Sequence, residues 1–133
     1  MNKEQLIELV SKLSLPIGNY SICSSGSLVM RNIQEKAEDL DLQVTEECFK
    51  YIKENFKIHF HDEENKYNHP LYAFDDFNAE FFVMPLEEIH FDYVGGYPCQ
   101  DIDDILEFKK QRNLPKDQLA IEKILEYKSK KTK

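Results

Sequence analysis

Residues 21–44, SICSSGSLVMRNIQEKAEDLDLQV, hold the pattern that decides the fold. A short strand over residues 20–23 runs into a turn of small residues that includes Gly26 and Ser27, and a helix is expected over residues 28–33. A strand that turns into a helix through small residues aims backbone N–H groups at one point, which suits the oxygens of a phosphate. The Gly26-Ser27 turn therefore predicts a phosphate-binding loop.

The second half of this stretch has the pattern of a strand. Leu40, Leu42 and Val44 alternate with polar residues, as expected when one face of a strand is buried and the other is polar. Asp39 and Asp41 are two residues apart, so their carboxylates project from the same face. Aspartate is depleted in strands, and two neighbouring carboxylates suit a hard divalent cation. The pair predicts a metal site beside the turn.

Together the turn and the strand resemble the DNA polymerase β-like nucleotidyltransferase superfamily, whose small members carry a Gly-Ser element, a helix and an Asp-x-Asp strand. The matching residues of this chain are Gly26, Ser27, Asp39 and Asp41. The resemblance implies a nucleotidyltransferase-like fold in which the two aspartates hold Mg²⁺ and the turn binds a nucleoside triphosphate.

The same family takes a third carboxylate from a later strand. Residues 77–83 offer Glu80 at the acidic position, with Phe81 and Val83 on the opposite, buried face. Asp92 is the alternative. The resemblance thus implies that Glu80 joins the two aspartates as a metal ligand and a catalytic residue.

Residues 106–124 carry a second resemblance, to the Arg-x-Lys-Asp segment of abortive-infection and toxin-like nucleotidyltransferases. Arg112 and the pair Lys116-Asp117 match it. The arginine precedes the lysine by four residues instead of two, and Ala120 stands where an acid is common in those relatives. This resemblance implies that Lys116 contacts the nucleotide.

The rest of the chain fits a single α/β domain over residues 1–133, with a mixed sheet of about five strands flanked by helices. Further strands are expected over residues 58–61, 74–84 and 89–94, the last two as antiparallel neighbours, and the polar run 62–70 predicts a loop. Further helices are expected at residues 3–14, after Thr45, after Asp101 and from Pro115 onward.

Composition excludes several other classes of protein. The net charge of −8 disfavours non-specific binding to nucleic acid. Cys23, Cys48 and Cys99 are too far apart for a zinc knuckle or a CxxC pair, and their odd number argues against a disulfide framework. They are expected to be buried apolar residues. The N-terminal residues carry no apolar run long enough for a signal peptide or membrane span, so a cytoplasmic location is expected.

A competing metal site is offered by histidines. His59 and His61 are two apart on an expected strand, and His69 or His90 would supply a third ligand to a transition metal. Neither spacing is diagnostic, and an exposed strand end is the default interpretation.

Two functional hypotheses follow from different classes. The first is metal-dependent transfer of a nucleoside monophosphate from a triphosphate to a hydroxyl on a protein, an RNA end or a small molecule. The second is a nucleotidyltransferase-like domain without catalysis, serving as a binding module with a protein partner in a toxin–antitoxin or phage-defence pair. The small size of the chain favours the second, and the acids beside the Gly26-Ser27 turn favour the first.

Overall fold

The computed structural model describes residues 1–62 and 68–131. It has five helices: α1 Lys3–Leu13, α2 Ser25–Met30, α3 Glu46–Asn55, α4 Ile102–Arg112 and α5 Pro115–Lys131. Its seven strands are β1 Tyr20–Cys23, β2 Leu40–Val44, β3 Ile58–Asp62, β4 Leu71–Phe74, β5 Ala79–Val83, β6 Phe91–Val94 and β7 Tyr97–Gln100. Residues 63–67 of the expected loop lie outside the described residues.

The strands of the described residues form one mixed sheet with the order β3-β4-β5-β2-β1-β7-β6. The pairs β2/β5 and β1/β7 are parallel, and the other neighbours are antiparallel. The prediction of a mixed α/β architecture with helices around a sheet is confirmed. The centre of the sheet is β2, which lies between β1 and β5 and carries the predicted aspartates at its start.

The sheet has seven strands in the described residues where about five were expected, and two errors account for the difference. Residues 74–84 were expected to form one strand, but Asp75 to Asn78 is a bend that separates β4 from β5, and its Asp and Asn residues are of the types that favour turns over strands. The second error is β7, which was not expected and which contains Pro98, a residue with no N–H to donate to a neighbouring strand. Consequently β6 pairs with β7, not with β5 as predicted.

The capping residues predicted the starts of two helices correctly. Asn2 and Gln5 form the expected capping box of α1, and the Thr45 hydroxyl accepts a hydrogen bond from the Cys48 N–H at the start of α3. Helix α2 begins three residues before the expected position, at Ser25. None of the helices in the described part combines the length and the apolar character that a membrane span needs.

The main core lies on one face of the sheet, where the buried alternate residues of β2 pack against α1 and α3. Leu40, Leu42 and Val44 are fully buried there together with Leu6 and Ile52. A smaller core joins α2, α4 and α5 on the other side of the molecule. The three cysteines are buried, as predicted, and none is in a disulfide bond. Since the apolar residues of β2 face α1 and α3, its polar residues Asp39, Asp41 and Gln43 face the opposite side.

Candidate functional site

Three carboxylates meet at the start of the central strands. Asp39 directly precedes β2, Asp41 is its second residue, and Glu80 lies opposite Asp41 in the parallel β2/β5 pair. One carboxylate oxygen from each residue lies within 4.8 Å of the others, and all three residues are half-buried. In the described part of the chain, this is the one group of three or more metal-ligating side chains. Three oxygen donors at such distances suit a hard divalent cation such as Mg²⁺.

A cavity of about 520 Å³ opens beside these acids, and its walls have opposite charges. This cavity, called the charged cavity below, is lined by the acids Glu38, Asp39, Asp41 and Asp117, whereas Glu80 is outside its lining. The cations on its walls are Lys36, Lys109, Arg112 and Lys116. Its volume is typical of small-molecule sites, and a ligand that carries phosphates together with a metal ion would match both kinds of wall.

The turn between β1 and α2 presents Ser24 and Ser25 to the charged cavity. The Ser24 backbone has φ 57° and ψ −136°, a conformation that residues other than glycine rarely adopt. Its N–H donates a hydrogen bond to Gln100 Oε1 at 2.9 Å. The end of β7 therefore fixes the turn in this geometry.

Gly26 and Ser27, the expected phosphate-binding residues, lie on the inner side of this turn. A Cβ at position 26 would come within 2.8 Å of Ile22 Cγ2, so the glycine permits close packing of α2 on β1. Ser27 is fully buried, and its hydroxyl donates to the Gln100 carbonyl at 2.9 Å. Neither residue lines the charged cavity, whereas their neighbours Ser24 and Ser25 do.

The corner between α4 and α5 brings Lys116 to the charged cavity. Asp117 is buried and accepts hydrogen bonds from Arg112 Nε at 2.9 Å and Nη2 at 2.5 Å, and from the Leu114 N–H at 3.2 Å. Lys109 Nζ is 3.6 Å from the same carboxylate. The hydrogen bonds from Arg112 hold the pKa of Asp117 well below its usual range. This ion pair holds the corner in place, and Arg112 and Asp117 line the charged cavity beside Lys116.

An important residue that the sequence did not single out is Arg31. Its guanidinium is almost fully buried, where it donates to Ser27 Oγ and, at 2.9 Å, to the Gln100 carbonyl. It also lies 3.4 Å from the carboxylate of Asp92 on β6. Arg31 thereby ties α2 to β6 and β7, and Gln100 in turn holds the Ser24 turn. These contacts join residues that are separated by 61 to 76 positions in the sequence, and no local sequence signal reveals such a network.

The two alternatives from the sequence do not join the acidic cluster. Asp92 lies on β6, which is separated from β2 by β1 and β7, and it pairs with Arg31. The histidines His59, His69 and His90 each contact a different carboxylate, those of Asp75, Glu88 and Asp104. Among the residues that the structure describes, no histidine belongs to a group with metal-ligand distances. Glu80 is therefore the acid that completes the cluster.

Comparison with known proteins adds no assignment. No protein-family model matches the chain, and no curated protein matches it significantly.

Proposed function

We propose that this chain is a metal-dependent nucleotidyltransferase, with a fold of that type, that moves a nucleoside monophosphate from a triphosphate to a hydroxyl group. The observation that carries the proposal is the clustering of Asp39, Asp41 and Glu80 within 4.8 Å of one another, beside a cavity that Asp39 and Asp41 line together with four cationic side chains. The resemblance of the Gly-Ser and Asp-x-Asp elements to that superfamily supports the same conclusion.

In the proposed complex, the three carboxylates hold Mg²⁺ and the cationic walls hold the triphosphate. When bound, Mg²⁺ would neutralise charge on the phosphates and lower the pKa of the acceptor hydroxyl. Lys116 and Lys36 form no ion pair with any described residue, so both are available to phosphate oxygens. Ser24 and Ser25 line the cavity and are placed to contact phosphate oxygens, whereas the phosphate loop was expected at Gly26 and Ser27.

The chain's residues would organise an in-line displacement. The acceptor oxygen bonds to the α-phosphorus, the bond from that phosphorus to the α,β-bridging oxygen breaks, and pyrophosphate leaves. The hydroxyl proton passes to Glu80 or to one of the aspartates and then to solvent. Positioning of the acceptor and the α-phosphate by the cavity walls supplies much of the acceleration expected for such a transfer.

The test separates catalysis from binding through Glu80. We expect Glu80→Gln to keep measurable affinity for a nucleoside triphosphate with Mg²⁺ but to lose transfer of labelled nucleotide to any acceptor that the wild type modifies. Asp76→Asn removes an exposed acid close to β5 and serves as the matched control, with transfer unchanged. Binding without labelling of any acceptor in a host lysate, with Mg²⁺ or Mn²⁺ and several triphosphates, would instead support the inactive binding module.

A further inference from the structure

A second cavity, of about 400 Å³, lies further along the same face of the sheet. It is called the acidic cavity here, because its lining includes the carboxylates of Glu87, Glu88, Asp104 and Glu107. Among the residues that the structure describes, its lining includes one histidine and no lysine or arginine. Two of these carboxylates have a histidine neighbour, since Glu88 contacts His69 and Asp104 contacts His90. The remaining field still strongly favours a cationic ligand over an anionic one.

A buried side-chain amide in the acidic cavity is evidence for a ligand site that does not depend on the acids. Gln43 is 2% exposed and lines this cavity. Its Oε1 accepts a hydrogen bond from the Ser21 hydroxyl at 3.0 Å, while its Nε2 donates to none of the described residues. No side-chain nitrogen or oxygen in the described part is both sealed from solvent and without a partner, so this amide nitrogen must open into the cavity. It offers hydrogen-bond donors to an oxygen of a ligand.

The acidic cavity adjoins the metal-ligand cluster. Gln43 follows Asp41 by two residues on β2, which places it on the same face and roughly 7 Å further along the strand. Gln100 and Phe108 line both cavities, so the two cavities adjoin. A molecule seated over Gln43 would therefore reach the phosphate site with one of its own groups.

We propose that the acidic cavity is the acceptor subsite, and that it takes a small molecule with two or more ammonium groups and a free hydroxyl. This inference rests on the proposed function, which requires a hydroxyl acceptor beside Asp41 and Glu80. The carboxylates of Glu87 and Glu107 bind the ammonium groups, and the Gln43 amide binds an oxygen of the acceptor. The cavity volume fits a small molecule, and its charge repels a nucleic acid.

The binding test uses spermidine as a polycationic probe and is read by calorimetry at low salt. The double variant Glu87→Gln/Glu107→Gln is expected to bind spermidine at least tenfold more weakly than the wild type. The control Glu47→Gln/Glu54→Gln removes two exposed acids from α3 and is expected to change the affinity less than twofold. Equal weakening in the two double variants, or no binding by the wild type, would overturn the proposal.

The transfer test uses three small probes that separate charge from the hydroxyl. The wild type is expected to transfer labelled nucleotide to 1,3-diamino-2-propanol, and to neither glycerol nor 1,3-diaminopropane. Transfer to glycerol or to an RNA end in preference to the diamino alcohol would contradict a cationic acceptor.

A parallel measurement of nucleotide binding distinguishes failure of this inference from failure of the proposed function. Asp41→Asn is expected to lose binding of the Mg²⁺–triphosphate complex and to keep spermidine binding. The Glu87→Gln/Glu107→Gln variant is expected to keep binding of the Mg²⁺–triphosphate complex and to lose spermidine binding. Spermidine binding that depends on Glu87 and Glu107 in a protein that binds no triphosphate would refute the transferase and leave a polycation site. Triphosphate binding without spermidine binding that depends on Glu87 and Glu107 would refute the acceptor subsite and leave the proposed transferase standing.

Discussion

Ser24 adopts a backbone conformation that would suit glycine better, with φ 57° and ψ −136°. Residues held in such regions store about 1–3 kcal/mol of strain, and these positions concentrate at functional sites. We expect Ser24→Gly to stabilise the fold by about 1 kcal/mol, because the relief of strain exceeds the added entropy of the unfolded chain. Chemical denaturation of the wild type and the variant measures the difference.

The neighbouring Ser25 provides the control for this prediction. It is the first residue of α2 and has no positive φ, so Ser25→Gly should destabilise the protein by roughly 0.5–1 kcal/mol. If the two glycine variants were equally destabilised, Ser24 would not be strained.

Lys116 stands in the first turn of α5, directly after Pro115. A cation is unfavourable there, since the helix dipole places positive partial charge at the N-terminus. Lys116→Glu should therefore leave the free energy of unfolding unchanged or raise it by about 0.3–1 kcal/mol. The same variant should weaken triphosphate binding at least tenfold, because the residue lines the charged cavity. Lys123→Glu, on the same helix but outside the lining, should keep the wild-type affinity.

At the scale of the elements, the corner between α4 and α5 depends on the buried carboxylate of Asp117. We expect Asp117→Asn to destabilise the protein by about 2 kcal/mol, as for the loss of hydrogen bonds between charged groups. Glu126→Gln interrupts an exposed pair with Lys130 in α5 and should change stability by less than about 0.5 kcal/mol. Comparable losses in both variants would mean that the corner is held by other contacts.

The depressed pKa of Asp117 also gives this corner a defined pH dependence. Hydrogen bonds from Arg112 lower the folded-state pKa below the unfolded value of about 3.9. The stabilisation is therefore complete above about pH 4 and is lost as the pH falls toward the folded-state pKa. Wild type and Asp117→Asn should differ most in unfolding free energy near neutral pH, and the difference should shrink in acid.

The helices and strands also show how much of the fold and of the candidate site could be predicted from the sequence. Alternation along β2 was enough to predict a common face for Asp39 and Asp41, and capping residues were enough to begin α1 and α3 correctly. The partnership of Asp41 with Glu80 depends on parallel pairing of β2 with β5, which no local pattern encodes. The sequence yielded Glu80 only through resemblance to a family.

The features that were missed depend on contacts between distant segments. The conformation of Ser24 is set by Gln100, 76 residues later, and Gln100 is held by Arg31. Strand β7 was missed because Pro98 opposes a strand locally, whereas pairing with β1 and β6 imposes one. The acidic cavity brings together β2, β7 and α4, so only the folded chain reveals it.

At the scale of the whole molecule, the distribution of charge separates two regions of one sheet face. The charged cavity combines four acids with four cations, while the described lining of the adjoining acidic cavity has no lysine or arginine. In the proposed reaction, an anionic nucleotide would bind in the charged cavity, a cationic acceptor would bind in the acidic cavity, and the two would meet above Asp41. The proposed function therefore assigns the triphosphate to the charged cavity, where cationic side chains lie, in a protein whose net charge is −8.

The most direct test of this account is anomalous diffraction from crystals grown with Mn²⁺ and a non-hydrolysable nucleoside triphosphate. We predict a manganese peak within about 2.2 Å of carboxylate oxygens of Asp39, Asp41 and Glu80, with the phosphates between that ion and Lys116. Crystals of Asp41→Asn should lack the peak and remain isomorphous. Nucleotide bound outside the charged cavity, or a wild-type crystal without metal at the three carboxylates, would contradict the account.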